Sequence, residues 1–386
     1  MKSIPREVET TLVRAARGFP AVVLTGPRRA GKTYCLRRRF PEASYHLLED
    51  PDLLARVRGD PRGFLEDVRT PAILDEIQHA PELLAYVRTR IDRAPSRKGQ
   101  WLITGSQDFA LMEGVTESLA GRAAVFQLLP FSLRELGRWD LLRGGFPEVW
   151  ARPRLAATWF RSYVQTYLER DVRDVTAVRD LGLFRRFLTL VAARNGAMLN
   201  KTDIAAPLGL SVPTVTEWIG VLETTGLVLL VPPWFENLGK RVVKTPKLYW
   251  TDTGLLCHLL GIGSLPALAA SPAIGSVFEA FVASEIAKRQ AASGAARSIH
   301  HFRDHQGFEV DFVLPERDGG ILFVEAKWSR TVVPADARGI QALLPRVGAR
   351  KARGVVVHRA AAEPVRSTAL VPSVKALSVE AFLGGD

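Results

Sequence analysis

The chain reads as a multidomain α/β protein. The expected parts are a parallel sheet built on a phosphate-binding loop, a helical lid, a winged helix-turn-helix and a smaller C-terminal α/β unit. Three observations predict this. The stretch Gly26-Pro27-Arg28-Arg29-Ala30-Gly31-Lys32-Thr33 fits G-x-x-x-x-G-K-[ST] and lies between an apolar run, Ala21 to Thr25, and a stretch that can continue as a helix. A second apolar run from Ala72 ends in two acids, Asp75 and Glu76. Near the C-terminus, Glu309 to Leu314 and Ile321 to Lys327 read as paired strands around the turn Arg317-Asp318-Gly319-Gly320.

The 386 residues exceed one ordinary core and predict several domains. Expected boundaries are 1–130 for the sheet and its loop, 131–180 for the lid, 181–271 for the winged helix and 272–386 for the last unit. At 47% hydrophobic residues and a mean hydropathy of +0.04 the composition is globular rather than disordered. The net charge of +12 favours an anionic partner, nucleic acid and DNA in particular, although a generally arginine-rich composition produces the same excess. Two cysteines, Cys35 and Cys257, exclude a disulfide framework and a four-cysteine zinc site. The first residues lack an apolar signal-like core, and the apolar runs fall short of the roughly 20 residues that span a bilayer. A soluble, cytoplasmic protein without a membrane partner is therefore expected.

Each element of the first domain has a chemical reading. Glycines let the 26–33 loop curl so that Gly26, Pro27, Arg28, Arg29, Ala30 and Gly31 present backbone to phosphates, with N–H groups turned inward. Lys32 brings a point charge to the β- and γ-phosphates, and the Thr33 hydroxyl is a Mg²⁺ ligand. Asp75 emerges from its buried strand 42 residues after Thr33 and is expected to hold the Mg²⁺ through water. Glu76 is expected to polarise the attacking water. The strand Trp101 to Thr104 leads to Gly105-Ser106-Gln107, where Ser106 or Thr104 is a candidate γ-phosphate sensor and a plain polar turn is the alternative. Arg122, just before the strand Ala123 to Leu128, is either a finger for a neighbouring subunit's site or a surface ion-pairing arginine.

Residues 183–194 read as an amphipathic helix, 199–211 as a short helix and turn, and 212–224 as a second helix capped by Ser211. Gly226 stops that helix before the strand Leu227 to Val231. This order predicts a winged helix-turn-helix, with Lys240, Arg241, Lys244 and Lys247 on the wing as phosphate contacts. Glu217 and Glu223 on the second helix weigh against DNA, and a protein contact is the competing use.

In the last unit, Glu325 and Lys327 share a strand face by the period of two, and Asp311 lies within reach on the preceding strand. Asp311, Glu325 and the helical Glu279 are candidate Mg²⁺ ligands, with Lys327 aiding a water or the developing charge on a phosphodiester. Ion-paired surface strands are the bland alternative. His300, His301 and His305 read as ordinary loop histidines rather than a zinc site.

The motifs GPRRAGKT, ILDEIQHAPELL, LITGSQ, SLAGR, GGFPEV and YLERDVRDV resemble the AAA-type ATPases of bacteria and archaea that carry a C-terminal domain of unknown function. LYWTDTGLL, Phe278-Glu279, EVDFVL and VEAK resemble that C-terminal domain, which is similar to restriction endonucleases of the PD-(D/E)xK class. Val310 stands where that class usually has proline. The resemblance implies ATP bound by residues 26–33, Mg²⁺ and hydrolysis roles for Asp75 and Glu76, and a nuclease-type centre at Glu279, Asp311, Glu325 and Lys327. The expected function is thus Mg²⁺-dependent ATP hydrolysis coupled to DNA, in a homo-oligomer that uses Arg122 in trans. Two alternatives stand beside it: an ATP-dependent DNA-binding switch with a non-catalytic C-terminal domain, and a protein-remodelling ATPase.

Overall fold

A computed structural model describes residues 4–105, 117–168, 180–234, 245–304, 306–316, 318–347, 351–359 and 367–384. Ser106, Lys240, Arg241, Lys244 and His305 lie outside the described residues.

The first domain is organised by alternation along short buried strands. Helix α1 (Val8–Gly18) leads into β1 (Ala21–Thr25), the phosphate loop and α2 (Lys32–Arg39). There follow β2 (Ser44–Leu47), α3 (Pro51–Gly59), α4 (Pro61–Asp67), β3 (Ala72–Asp75), α5 (Leu83–Arg93), β4 (Trp101–Thr104) and β5 (Ala123–Gln127). The five strands pair in parallel in the order β2-β3-β4-β1-β5. Successive side chains of a strand point to opposite faces. Val22, Leu24, Ile73 and Leu102 therefore pack against Val8 and Leu12 of α1 and Leu36 of α2 on one face. Ala21, Val23, Leu74 and Ile103 pack against Phe64, Leu83, Val87 and Ile91 on the other. Both faces are covered, which is why these strands are apolar throughout rather than alternating. The Arg-rich stretch after β2 forms two helices, α3 and α4. Asp60 breaks it by capping a new start at Pro61, accepting from Gly63 N.

The lid region holds short helices at Leu133–Leu136, Pro147–Ala151 and Ala156–Tyr163, then a π-helical turn at Val164–Leu168. The helix from Ala156 thus passes into a wider turn at Val164, and residues 169–179 lie outside the described residues. Next come helices Leu181–Ala193, Lys201–Ala205 and Val212–Thr224, then β6 (Val228–Val231) and β7 (Lys247–Trp250), which pair antiparallel. The segments Lys201–Leu208 and Val212–Thr224 cross at 112°, with Gly209 in the left-handed turn between them. Among the described residues no single helix is long and apolar enough to cross a membrane; this bent pair passes on composition only. Most of its apolar residues, among them Ile204, Val215, Trp218 and Leu222, are buried in the protein.

The long helix Ile274–Ser293 precedes a six-stranded mixed sheet. Its strands are β8 (His300–Arg303), β9 (Glu309–Pro315), β10 (Ile321–Lys327), β11 (Ala352–His358), β12 (Ser367–Val371) and β13 (Val374–Ser378), in the order β12-β13-β11-β10-β9-β8. The expected antiparallel pairing of β9 with β10 is present, and a helix of about a turn and a half, Arg338–Leu343, precedes β11. His300 and His301 are not in a loop. Both belong to β8, and His301 is fully buried, its Nε2 at 3.0 Å from the Thr245 carbonyl.

A single buried cluster runs from Leu129 through the lid and helix-turn-helix to Leu383. Two of the sequence motifs act inside it as a joint. Asp252 caps the Thr253–Leu259 helix through Leu255 N (2.9 Å) and also accepts from Gly145 N at 2.6 Å. Gly144, at φ 61°, passes so close that a Cβ there would lie 2.2 Å from Asp252 Oδ1. Asp252→Ala leaves two N–H donors without their acceptor in a dry site, so a loss of roughly 2–4 kcal/mol is expected, read as a lowered thermal midpoint.

Candidate functional site

The phosphate loop has the backbone its sequence demands. Gly26 (φ 137°) and Gly31 (φ 95°) hold conformations that favour glycine, and a Cβ on Gly26 would sit 2.2 Å from the Leu128 carbonyl oxygen. Gly31 ends the loop as the residue before α2, so the first N–H groups of that helix face the loop. Lys32 is 4% exposed, and its Nζ donates to the carbonyls of Gly26 (2.9 Å) and Pro27 (3.1 Å). The ammonium is thereby stationed over the loop.

Because β1, β4 and β3 are parallel neighbours, their C-terminal ends converge beside the loop. Thr33 Oγ1 lies 2.9 and 3.0 Å from the two oxygens of Asp75. Tyr45 on β2 donates to Asp75 Oδ2 at 2.7 Å, and Thr104 on β4 donates to Asp75 Oδ1. Burial first, and then the Asp75 carboxylate, push the Tyr45 hydroxyl above its ordinary range. The Thr104 hydroxyl also accepts from Glu76 N at 3.2 Å. Of the two candidate sensors, Thr104 is therefore in contact with both acids, whereas Ser106 is not among the described residues.

Glu76 adopts a left-handed backbone (φ 58°) and accepts from the Gln78 amide. Burial raises its carboxyl, but Lys32, the Gln78 amide and Arg28 outweigh that and hold it below the usual range. It is ionised at neutral pH, as a group that orients a water must be. A cleft of about 830 Å³ connects these groups to the lid, lined by Arg28, Arg29, Ala30, Gly31, Lys32, Thr33, Glu76, Pro147, Glu148 and Arg152 among others. That volume suits a nucleotide. Thr33 lines the cleft and Asp75 lies buried behind it, and their hard oxygens are of the kind that fit Mg²⁺.

Two supports of this site carry no local sequence signal. Arg6 donates through separate nitrogens to the carbonyls of Ala30 (2.7 Å) and Leu129 (2.6 Å) and to Glu135 (2.9 Å), so it ties the loop to the lid. Tyr163 of the lid reaches the Arg28 carbonyl at 3.3 Å. Only the fold brings residues more than a hundred positions apart to one loop.

Arg122 stands at the opposite edge of its own sheet. It precedes β5, whose first residue pairs with Ala21 at the far end of β1 from the loop. Its guanidinium is bidentate on Asp92, at 2.6 and 3.1 Å. It takes no part in the site of its own subunit.

The C-terminal acids are drawn together from three elements. β9 carries Asp311, β10 carries Glu325 and Lys327, and the Ile274–Ser293 helix carries Glu279. Asp311 Oδ2 accepts from Ala326 N at 2.9 Å, and Lys327 Nζ lies 2.7 Å from Glu325 Oε1. Burial, and next the Asp311 charge, raise the carboxyls of Glu279 and Glu325. Lys247, expected on a wing facing phosphates, is instead 3% exposed inside this cluster. Its Nζ pairs with Glu309 and lies 3.5 Å from Asp311 Oδ1. Burial works against its charge, but Asp311, Glu279 and Glu309 outweigh it and raise its pKa. An ammonium thus stands among the oxygens expected to bind Mg²⁺. Among the described residues no three His, Cys, Asp or Glu side chains are arranged to hold a metal ion.

Comparison with known proteins matches three stretches of the chain. The AAA domain family matches residues 18–137. Two domains of unknown function, DUF8612 and DUF4143, match 135–265 and 274–377. The uncharacterized proteins Mb2031c of Mycobacterium bovis and Rv2008c of Mycobacterium tuberculosis are each 33% identical over 364 residues, covering 92% of this chain and 79% of theirs. This chain belongs to their family. Its first third is a P-loop AAA domain, and Lys32, Thr33, Asp75 and Glu76 lie within the matched residues. Among solved structures, the Walker-type ATPase PABY2304 of Pyrococcus abyssi shares 15% identity at a TM-score of 0.43, over 67% of this chain and 98% of that one. AMPPCP-bound DnaA from Aquifex aeolicus shares 15% identity at a TM-score of 0.27, over 56% and 85%.

Proposed function

We propose that this AAA-domain protein binds and hydrolyses Mg²⁺–ATP and uses the cycle to change how its helix-turn-helix and C-terminal domain engage DNA. One observation carries the hydrolytic part: Thr33, Tyr45 and Thr104 converge on Asp75 while an ionised Glu76 stands beside them at the cleft. In that arrangement Lys32 binds the β- and γ-phosphates. Asp75 and Thr33 hold the Mg²⁺, which supplies charge neutralisation to the phosphates when bound. Glu76 orients a water for in-line attack and takes its proton, and Thr104 links that base to Asp75. Lid contacts through Arg6 and Tyr163 give the loop a mechanical path to the rest of the chain. For Arg122 to act on a neighbouring copy, a homo-oligomer is required and its guanidinium must leave Asp92, on which it is bidentate here.

DNA is supported by the 112° helix pair, the antiparallel β6–β7 ribbon that follows it, and the +12 charge. Val212 and Thr216 are exposed on the second helix of that pair, as a groove-facing surface requires, while the exposed Glu217 still weighs against DNA. Glu223 does not count against DNA as it did in the sequence. It is half-buried, and burial raises its carboxyl while Arg297 offsets part of that rise. Duplex DNA is expected to stimulate ATP hydrolysis several-fold at low salt, with the effect lost as salt rises. Hydrolysis indifferent to DNA at every salt concentration would leave the protein-remodelling reading in its place.

A second reading, phosphodiester cleavage at the C-terminal domain, is favoured by Asp311, Glu325, Lys327 and Glu279 gathering around the β9–β10 pair. Nicking of supercoiled plasmid by the wild type and not by Asp311→Ala supports it. Equal nicking by both removes it.

A further inference from the structure

The β6–β7 ribbon sends two side chains into the C-terminal acid cluster. Lys247 and Tyr249 are two apart on β7 and so share a face. Lys247 Nζ is shared between Glu309 and Asp311, and the Tyr249 hydroxyl donates to Glu279 Oε2 at 3.2 Å. Both residues are buried. The ribbon is also fastened at its base. His301 N donates to the Pro232 carbonyl (3.0 Å) and Trp234 N to the His301 carbonyl (2.7 Å), so the chain leaving β6 lies along the edge strand β8. Leu199 N donates to the Pro246 carbonyl at 2.9 Å on the other side.

A buried ammonium is tolerated only where carboxylates surround it, and buried carboxylates side by side need a cation among them. Lys247 meets the second condition for Glu309 and Asp311, while Lys327 of the same sheet pairs with Glu325. Divalent metal makes the same demand on the same oxygens, at 2.0–2.6 Å or so, and cannot share them with an ammonium already in hydrogen-bonding range. We infer that Lys247 is the resident cation of the Glu279–Glu309–Asp311–Glu325 cluster and that it closes this site to divalent metal while the β6–β7 ribbon is seated. The ribbon and the C-terminal sheet are thereby latched by charge, and metal entry requires that Lys247 leave. The inference is independent of the ATPase reading, since no phosphate-loop group takes part.

The test is Mn²⁺ binding to the nucleotide-free full chain, followed by the paramagnetic resonance of free Mn²⁺. Wild type and Asp311→Asn are expected to titrate alike. Lys247→Met is expected to gain one Mn²⁺ site per chain, and Lys247→Met/Asp311→Asn to lose it again. A wild-type site that vanishes in Asp311→Asn overturns the inference, because metal and lysine then coexist. Failure of folded Lys247→Met to gain a site also overturns it, because the acids are then no latent metal site. Should Lys247→Met not fold, Lys247→Gln carries the same two arms, and the wild-type comparison stands by itself. ATP binding in the same preparations is expected to be unchanged, which separates failure here from failure of the phosphate-loop assignment.

Discussion

Lys32→Ala is expected to lose ATP hydrolysis by a factor of at least 10² to 10³ and to lose most ATP affinity with it. The size follows from removing a pre-placed charge from the point where phosphate charge accumulates, in a site with low access to water. Lys32 is buried, and its two carbonyl partners hold it over the loop, so little reorganisation is needed when phosphate arrives. Alanine also removes the group that holds Glu76 ionised against burial. Binding of a fluorescent ATP analogue and phosphate release, measured on the same preparation, check both halves. Normal hydrolysis by Lys32→Ala would mean that the 26–33 loop is not where ATP reacts.

Glu76→Gln is expected to separate the two properties that Lys32→Ala removes together. Glutamine keeps the shape and can still meet the Gln78 amide, but it cannot take a proton. A general base is worth roughly 10² to 10⁴ in rate. Hydrolysis should fall in that range while ATP binding stays within about threefold of wild type. The reason binding survives is geometric: Asp75 and Thr33, not Glu76, supply the oxygens that fit Mg²⁺, and their mutual contact at 2.9 Å does not involve Glu76. A Glu76→Gln protein that hydrolyses at the wild-type rate would move the base elsewhere. One that no longer binds ATP would make Glu76 a ligand rather than a base.

The two variants also bear on the DNA proposal. An ATP-bound, non-hydrolysing Glu76→Gln protein isolates one state of the cycle. Its DNA affinity against that of Lys32→Ala shows whether nucleotide occupancy reaches the helix-turn-helix, some two hundred residues away in the chain. The connection available for it is the shared core from Leu129 to Leu383, joined to the loop by Arg6.

The sequence by itself determined the parts whose signals are local. The phosphate loop, β1, the acid-ended β3, the capped helix at Val212 and the β9–β10 pair each rest on a few consecutive residues, because turn chemistry, capping and strand period act over short distances. It also carried Asp75, Glu76, Asp311, Glu325 and Lys327 as a set. His300 and His301, expected in a loop, belong to β8, because the tertiary setting overrides local preference in short segments. Only the tertiary structure decided who partners whom. It placed Tyr45 and Thr104 on Asp75, Arg6 on the loop carbonyl of Ala30, and Arg122 on Asp92 at the far edge of the sheet. Above all it turned Lys247 from an expected phosphate contact into a buried counterion for Asp311 and Glu309. A lysine's charge is legible in one letter. Whether that charge faces water or four carboxylates depends on chain segments that meet only when the fold is complete, and burial then sets the energy of every charge in the cluster.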